Sequence, residues 1–198
     1  MSVRLVRADD VEPLGGVLAR AFDDDPIFRA ILPDDTHRRW ALPRLFAEWT
    51  RRLHLRSGTS WTTDDHAGAA LWSPPGEWAI TLPQQTLMAP RMIHAFGARV
   101  LVALRVLLAV ESPHPREPPH YYLRVIGSDP SRQGQGVGAA LLAPMLARCD
   151  AEGMPAYLES SNEKNLSFYR RNGFEEVGEV TTHLGPKAFL MWRKGQKR

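Results

Sequence analysis

The sequence predicts a mixed α/β domain, and three observations carry that class. Short alternating apolar segments recur along the chain. Between them apolar residues return at helical spacing, as in 9–22 and in the stretch from the glycines to about 152. In the last third the two kinds of segment alternate as β-α-β-α-β. With 198 residues, 43% of them hydrophobic and 24% charged, the chain has the material for one domain carrying an insertion.

The elements follow in order. "VRLVR" alternates and predicts a first strand, and a helix runs from about Asp9 to Phe22 until "DDDP" at 23–26 breaks it. Helical patterning resumes near Asp35 and continues to about Arg56 in spite of Pro43. "TSWTT" and "GAALWS" form a hairpin that stops at "PPG". Residues 83–111 carry two more helices, and "SPHPREPP" at 112–119 is an extended connection poor in donors. "YYLRVIG" is then a strand, a glycine-rich stretch opens a helix reaching about Glu152, and Gly153 and Pro155 end it. "AYLES" is a strand, "NEKNLSFYRRNGF" a short helix closed by Gly173, and "EEVGEV" and "KAFLMWR" a last pair of strands. Pro144 falls inside the helix after the glycines, where it removes a backbone bond to Ala140 and predicts a kink.

Composition narrows the function. The net charge is +3 and the pI about 9.3, yet basic residues gather only in the tail "RKGQKR", so nucleic acid is not an expected partner. The one cysteine, Cys149, rules out an internal disulfide and sits in an apolar-periodic stretch, as a packed thiol would. "MSVRLVRADD" is charged where a signal peptide is apolar. "GARVLVALRVLLAV" at 97–110 is short for a bilayer and holds Arg99 and Arg105, so a buried or interfacial helix is expected rather than a membrane span. These readings place the chain in the cytoplasm. The seven histidines show no metal-ligand spacing, and no metal is expected.

The chemistry starts at "DPSRQGQGVGAALL" (129–142), with Gly134, Gly136 and Gly138 at the mouth of a helix. Glycine inside a helix costs about 0.5–1 kcal/mol against alanine. A helix N-terminus offers unpaired N–H groups and partial positive charge, and glycines let phosphate oxygens approach them. No Walker "GK[ST]" follows. A dinucleotide fingerprint is formally met by Gly134, Gly136 and Ala139, with Glu159 about twenty residues on. Against it, "SDPSRQ" separates strand from glycines, and too little chain remains to complete such a sheet.

The stretch resembles the acetyl-CoA loop of the GCN5-related N-acetyltransferases, Q/R-x-x-G-x-G/A, here Gln133, Gly134, Gln135, Gly136, Val137 and Gly138. "NLSFYRRNGF" (165–174) is similar to the family's second signature and supplies Asn165 and Tyr169, one turn apart on one helix face. "SSNE" offers Ser160 and Glu163 as a capping box for that helix. "AFDDDP", "GAALWSPPG" and the block from "REPPHYYL" to "PAYLESSNEKNLSFYRRNGF" resemble the puromycin N-acetyltransferase branch.

The resemblance implies one domain over 1–198, with a mostly antiparallel, splayed mixed sheet flanked by helices. Residues 83–118 form the helical insertion and connection, and 120–193 the acetyl-CoA-binding and catalytic half. It implies acetyl-CoA as co-substrate and direct transfer to the primary amine of a small-molecule acceptor. The strand at 121–128 would splay, with Ile126, Gly127 and Ser128 holding the pantetheine arm and polarising the acetyl carbonyl. Tyr169 would protonate the departing thiolate, which resembles a cysteine thiolate of pKa about 8.5.

Glu159 is the candidate base, with His120 and Glu111 as reserves. Asp23, Asp24 and Asp25 form an acidic run able to draw in a cationic amine. Of Trp40, Trp49, Trp61, Trp72 and Trp78, Trp72 is the candidate for the acceptor pocket. A non-catalytic acetyl-CoA sensor and a protein or peptide N-acetyltransferase are the alternatives. A homodimer stays open as an assembly state.

Overall fold

The structure, a computed structural model, describes residues 1–196. Two residues of the basic tail, Lys197 and Arg198, lie outside it. Seven strands form one sheet in the order β1-β2-β3-β4-β5-β7-β6: β1 (Val3–Leu5), β2 (Trp61–Thr63), β3 (Gly68–Ser73), β4 (Tyr121–Ser128), β5 (Ala156–Ser160), β6 (Glu175–Thr181) and β7 (Lys187–Arg193). Every neighbouring pair is antiparallel except β4 and β5.

Side chains alternate across this sheet and build a core on each face. Ala69, Leu71, Val125 and Ala188 face α1 (Val11–Ala21), α2 (Pro26–Ile31), α3 (Asp35–Trp49) and the helical insertion. Ala70, Trp72, Leu123, Ala156, Leu158 and Met191 face α6 (Val137–Glu152) and α7 (Leu166–Arg171). Cys149 lies in this second core, and burial pushes its thiol up to about 12, as befits a packed, unreactive sulfur.

Several expectations need correction. "DDDP" ends one helix and starts another: the Asp25 carboxylate accepts from the amides of Ile27 and Phe28 (both 3.0 Å), and Pro26 takes the first turn of α2. The acidic run therefore does not act as a unit. Asp23 pairs with Arg38 and Arg39, and Asp24 with Arg29. Ser160 belongs to β5 and caps nothing. Asn162 caps the short 3-10 turn before α7, accepting from the Lys164 amide. At the other end the Phe174 amide returns to the Tyr169 carbonyl, as a glycine-closed helix requires. Trp72 is wholly buried under the sheet and is no pocket residue. Helix α6 runs unbroken through Pro144.

The insertion forms α4 (Leu82–Phe96) and α5 (Val100–Glu111), joined at Gly97. Met88, Ala95, Phe96, Ala103 and Val106 are buried, while Leu82, Leu87, Ile93, Leu101, Leu104 and Leu108 are exposed. The run Leu82–Glu111 is long and apolar enough to cross a bilayer by length and composition, and most of its apolar window faces outward. Of the buried or interfacial helix expected over 97–110, one stripe is buried and the opposite face is exposed.

Helix α1 approaches α3 closely because Gly15 has no side chain. A Cβ there would stand 2.6 Å from the Pro43 carbonyl oxygen and 3.0 Å from the Ala47 Cβ. Gly15→Ala is expected to lose about 1–3 kcal/mol in urea denaturation, outweighing the gain of about 0.5–1 kcal/mol in helix propensity. A stabilised variant would refute this close contact.

Candidate active site

Strands β4 and β5 pair only at Tyr121↔Ala156 and Tyr122↔Tyr157 before they part. The cause lies on the other edge of β4. Its register with β3 runs Leu71↔Val125 and then Trp72↔Leu123, so Arg124 is an extra residue in the strand. A bulge bends its strand and breaks the alternation of sides. Arg124 and Val125 consequently face the same side, and β4 beyond Leu123 leaves its β5 edge unpaired.

Two clefts open at this parting. The first is walled by Phe28, Phe46, Trp49, Leu107 and Val110, with Asp25 and Glu111 as polar groups. The second holds Ile126, Ser160, Asn165 and Tyr169. Phe22, Arg124, Val125, Glu159 and Ser161 line both. Glu159 therefore stands where the clefts meet, its side chain only 4% exposed.

Each charge here has a partner. Arg124, buried, donates to Glu111 (2.5 Å) and to the Trp78 carbonyl, and lies over the Tyr122 ring at 5.0 Å. Glu111 is thus committed to Arg124. Asp25 is held by the two α2 amides and by the Ser161 hydroxyl. Burial raises its carboxyl above the ordinary range, and these three bonds only partly oppose that. Tyr169 is buried, and desolvation, helped by the charge of Asp25, pushes its phenol well up. A contact with the Ser160 hydroxyl pulls it partly back. Burial likewise raises Tyr122 and Tyr157, both close to Glu159.

The predicted residues divide by location. Glu159, Ile126, Asn165 and Tyr169 come together at the clefts. Gly127 lets α1 approach, since a Cβ would meet Ala21 at 2.8 Å, and Ser128 ends β4. Gln133, Gly134, Gln135 and Gly136 form an exposed turn ahead of α6, and Val137 turns its side chain into the core. Gly134 (φ +76°) and Gly136 (φ +80°) adopt the left-handed conformation with open space where side chains would stand. Ala140 is bonded to the Gly136 carbonyl (3.0 Å), so the amides before it begin the helix without an acceptor in it. Gly138 differs: a Cβ would press on the Phe168 ring at 3.1 Å, so this glycine serves helix packing.

His120 is no candidate base at the cleft. It is buried behind His114 and bonded to the Pro118 carbonyl (2.8 Å). Sequence reasoning missed His114, Ser161, Tyr122 and Arg124, and it named Asp25 only as part of the acidic run, although "DP" before a helical pattern marks an N-cap. Of the tryptophans, Trp49 lines the first cleft and Trp78 stacks on His114 at 4.0 Å.

Residues 100–174, which span the bulged strand, the glycine turn and α7, match the model of the acetyltransferase (GNAT) family. The matched segment carries that family's signature, and together with the similar proteins it supports an acetyltransferase enzyme. An uncharacterised N-acetyltransferase of Schizosaccharomyces pombe is 27% identical over 184 residues, 88% of this chain and 74% of the relative. A Corynebacterium glutamicum structure described as histone acetyltransferase HPA2 and related acetyltransferase superposes with TM-score 0.75 at 25% identity, covering 100% of this chain and 97% of that one. A Drosophila melanogaster polyamine N-acetyltransferase that forms N-acetylagmatine shares the fold at 14% identity and TM-score 0.63, over 98% and 99% of the two chains.

The family implies acetyl-CoA, and the residues fit it: an amide-lined, side-chain-free turn for a diphosphate and an unpaired strand edge for an extended arm. Among the described residues no group of three or more His, Cys, Asp or Glu is placed to hold a metal.

The raised Asp25 carboxyl has a stability consequence. Between the unfolded value of about 3.9 and its higher folded value, the folded chain binds more protons than the unfolded one. Stability therefore falls as pH rises through that window and stays lower above it. Asn keeps the acceptor for the two α2 amides and lacks the charge. Asp25→Asn is expected to melt higher than the parent at about pH 7.5, the gap closing towards about pH 4. Differential scanning calorimetry showing the same gap at both would refute it.

Proposed function

We propose that this acetyltransferase moves an acetyl group from acetyl-CoA to the primary amine of a small molecule with an apolar body, by direct attack in one ternary complex. One observation carries the reading: a single buried carboxylate, Glu159, stands where an aromatic cleft meets the cleft beneath the parted strands. The Drosophila relative's action on an amine is consistent with it.

When bound, acetyl-CoA supplies an activated acetyl thioester whose leaving group is a thiolate. The chain's residues do the rest. Gly134 and Gly136 clear the amides at the start of α6 for the diphosphate, and the free edge of β4 from Leu123 to Ser128 aligns the arm. Glu159 accepts the acceptor's ammonium proton at its carboxylate. Tyr169 keeps its proton at Oη, the state a general acid needs, because burial and Asp25 both disfavour the phenolate.

Charge selects the acceptor. In the first cleft Glu111 is neutralised by Arg124, which leaves Asp25 and Glu159 to face a cation, and the remaining walls are largely aromatic and aliphatic. That favours a monoamine with an apolar body over a polyamine.

The test is thiol release from acetyl-CoA with 2-phenylethylamine, tryptamine, spermidine and a short peptide bearing a free N-terminus. The arylalkyl amines are expected to show the highest kcat/KM. Preference for the peptide would favour protein acetylation, and no turnover with any amine would overturn the proposal. Tyr169→Phe is expected to lower kcat by about a hundredfold or more with acetyl-CoA affinity little changed, and unchanged turnover removes Tyr169 from the role. Gly136→Ala puts a methyl into the cleared turn at φ +80°. It is expected to weaken acetyl-CoA binding by about tenfold or more in calorimetry, and an unaltered Kd would place the diphosphate elsewhere.

A further inference from the structure

Behind Glu159 runs a line of hydrogen bonds that the reaction as described does not use. The Pro118 carbonyl meets His120 Nδ1 at 2.8 Å. His120 Nε2 meets His114 Nε2 at 3.0 Å, and His114 Nδ1 meets Glu159 Oε1 at 3.3 Å. The line is closed in. The His114 side chain is 0% exposed, stacked on Trp78 and met edge-on by Tyr122 and Tyr157, while His120 lies beside Trp192.

Proton counting along the line has few solutions. A carbonyl only accepts, so His120 Nδ1 carries a hydrogen. Burial holds the His120 imidazole neutral, so its Nε2 is bare and accepts. His114 Nε2 must then carry a hydrogen. If His114 is neutral, its Nδ1 is bare too, and it faces a carboxylate oxygen. Two lone pairs confront each other until one proton enters between them.

We propose that the base is the Glu159–His114 pair, with His120 and the Pro118 carbonyl locking His114 in the tautomer that leaves Nδ1 open to the shared proton. The inference rests on the reading of Glu159 as proton acceptor. In the step, an N–H bond of the acceptor ammonium breaks, and its electron pair stays on nitrogen for attack. The proton enters the pair as O–H on Glu159 or N–H on His114 Nδ1, and nothing is oxidised or reduced. Taking the proton turns a lone-pair clash into a hydrogen bond, so the pair accepts more readily than a lone carboxylate would. His120 acts here as a positioning residue, through its bond to His114.

The charged and titratable groups facing the pair are known. Tyr157 comes from β5, Tyr122 and Arg124 from β4, His120 and Glu117 from the connection, and Glu111 from α5. None supplies a hydrogen to His114 Nδ1.

Two measurements test the proposal. Nitrogen-15 NMR of histidine-labelled protein is expected to show His120 as the neutral Nδ1–H tautomer and His114 with hydrogen on Nε2. A His120 ring protonated on Nε2 alone would overturn the line, whatever the acceptor is. Kinetics then use the panel amine that the parent chain turns over fastest. His114→Phe keeps the stack on Trp78 and removes the shared proton's second seat. His120→Asn keeps a donor for Pro118 but no acceptor at the Nε2 position, and so frees His114 to turn Nδ1–H toward Glu159.

Both variants are expected to shift the acidic limb of kcat/KM downward by about one pH unit, with KM for acetyl-CoA unchanged. Coincident limbs for parent and variants would overturn the pair while leaving the acetyltransferase reading intact. If His114→Phe fails to fold, His120→Asn and the NMR decide. No amine turnover in the parent chain would instead overturn the proposed function, and the tautomers would still judge the line.

Discussion

One extra residue in one strand governs the site. Arg124 has no opposite number on β3, so β4 bends where its pairing to β5 ends. A bulge can hold any residue, but this one buries a guanidinium that never loses its charge. A buried charge is tolerated only when it is paired and hydrogen-bonded. Two partners come from other segments, Glu111 at the end of α5 and Trp78 in the loop before α4, and the Tyr122 ring sits two residues away. The helical insertion is thereby tied to the parted strands, and the first cleft gains Leu107 and Val110 as a wall.

That tie sets the electrostatics around Glu159. Glu111 is spent on Arg124, and Asp25 is divided between two helix amides and the Ser161 hydroxyl. Glu159 alone faces a histidine whose hydrogens are fixed by bonds to other groups. Three carboxylates of the same chemistry thus meet three different sets of partners.

Much of the fold was legible because local signals and tertiary packing agreed. The hairpin, the glycine turn, the helix closed by Gly173 and the last two strands all fall where turn residues and alternation put them. "NLSFYRRNGF" brought Asn165 and Tyr169 to the cleft because a helical i, i+4 pair needs no long-range information to share a face. What failed needed knowledge of another segment. Trp72 alternates in its strand with Leu71, and only the arrival of α6 on one face decides which of the two is buried away from the cleft. Gly138 belongs with its neighbours by spacing, and only Phe168, thirty residues later, reveals that it also makes room for helix packing. His114 was hidden in a proline-rich connection with no periodicity, and its meaning depends on Trp78 and Glu159 together. Asp25 read as one member of an acidic run able to draw in a cationic amine, because a helix of six residues leaves almost no periodic trace.

Asp25 joins fold to chemistry most directly. The amides of Ile27 and Phe28 favour its ionised form, as any helix N-terminus favours an anion, while burial opposes ionisation. Its ionised form disfavours a phenolate at Tyr169. The carboxylate that starts α2 therefore also helps keep the phenol a proton donor. The folded state bears a desolvated acid at that position, and the return is a tyrosine that stays protonated beside the parted strands. Such a trade is typical of residues held for chemistry more than for stability. The length of α2 has a separate cause: Pro33 disfavours helical backbone at Leu32, so the helix ends at Ile31.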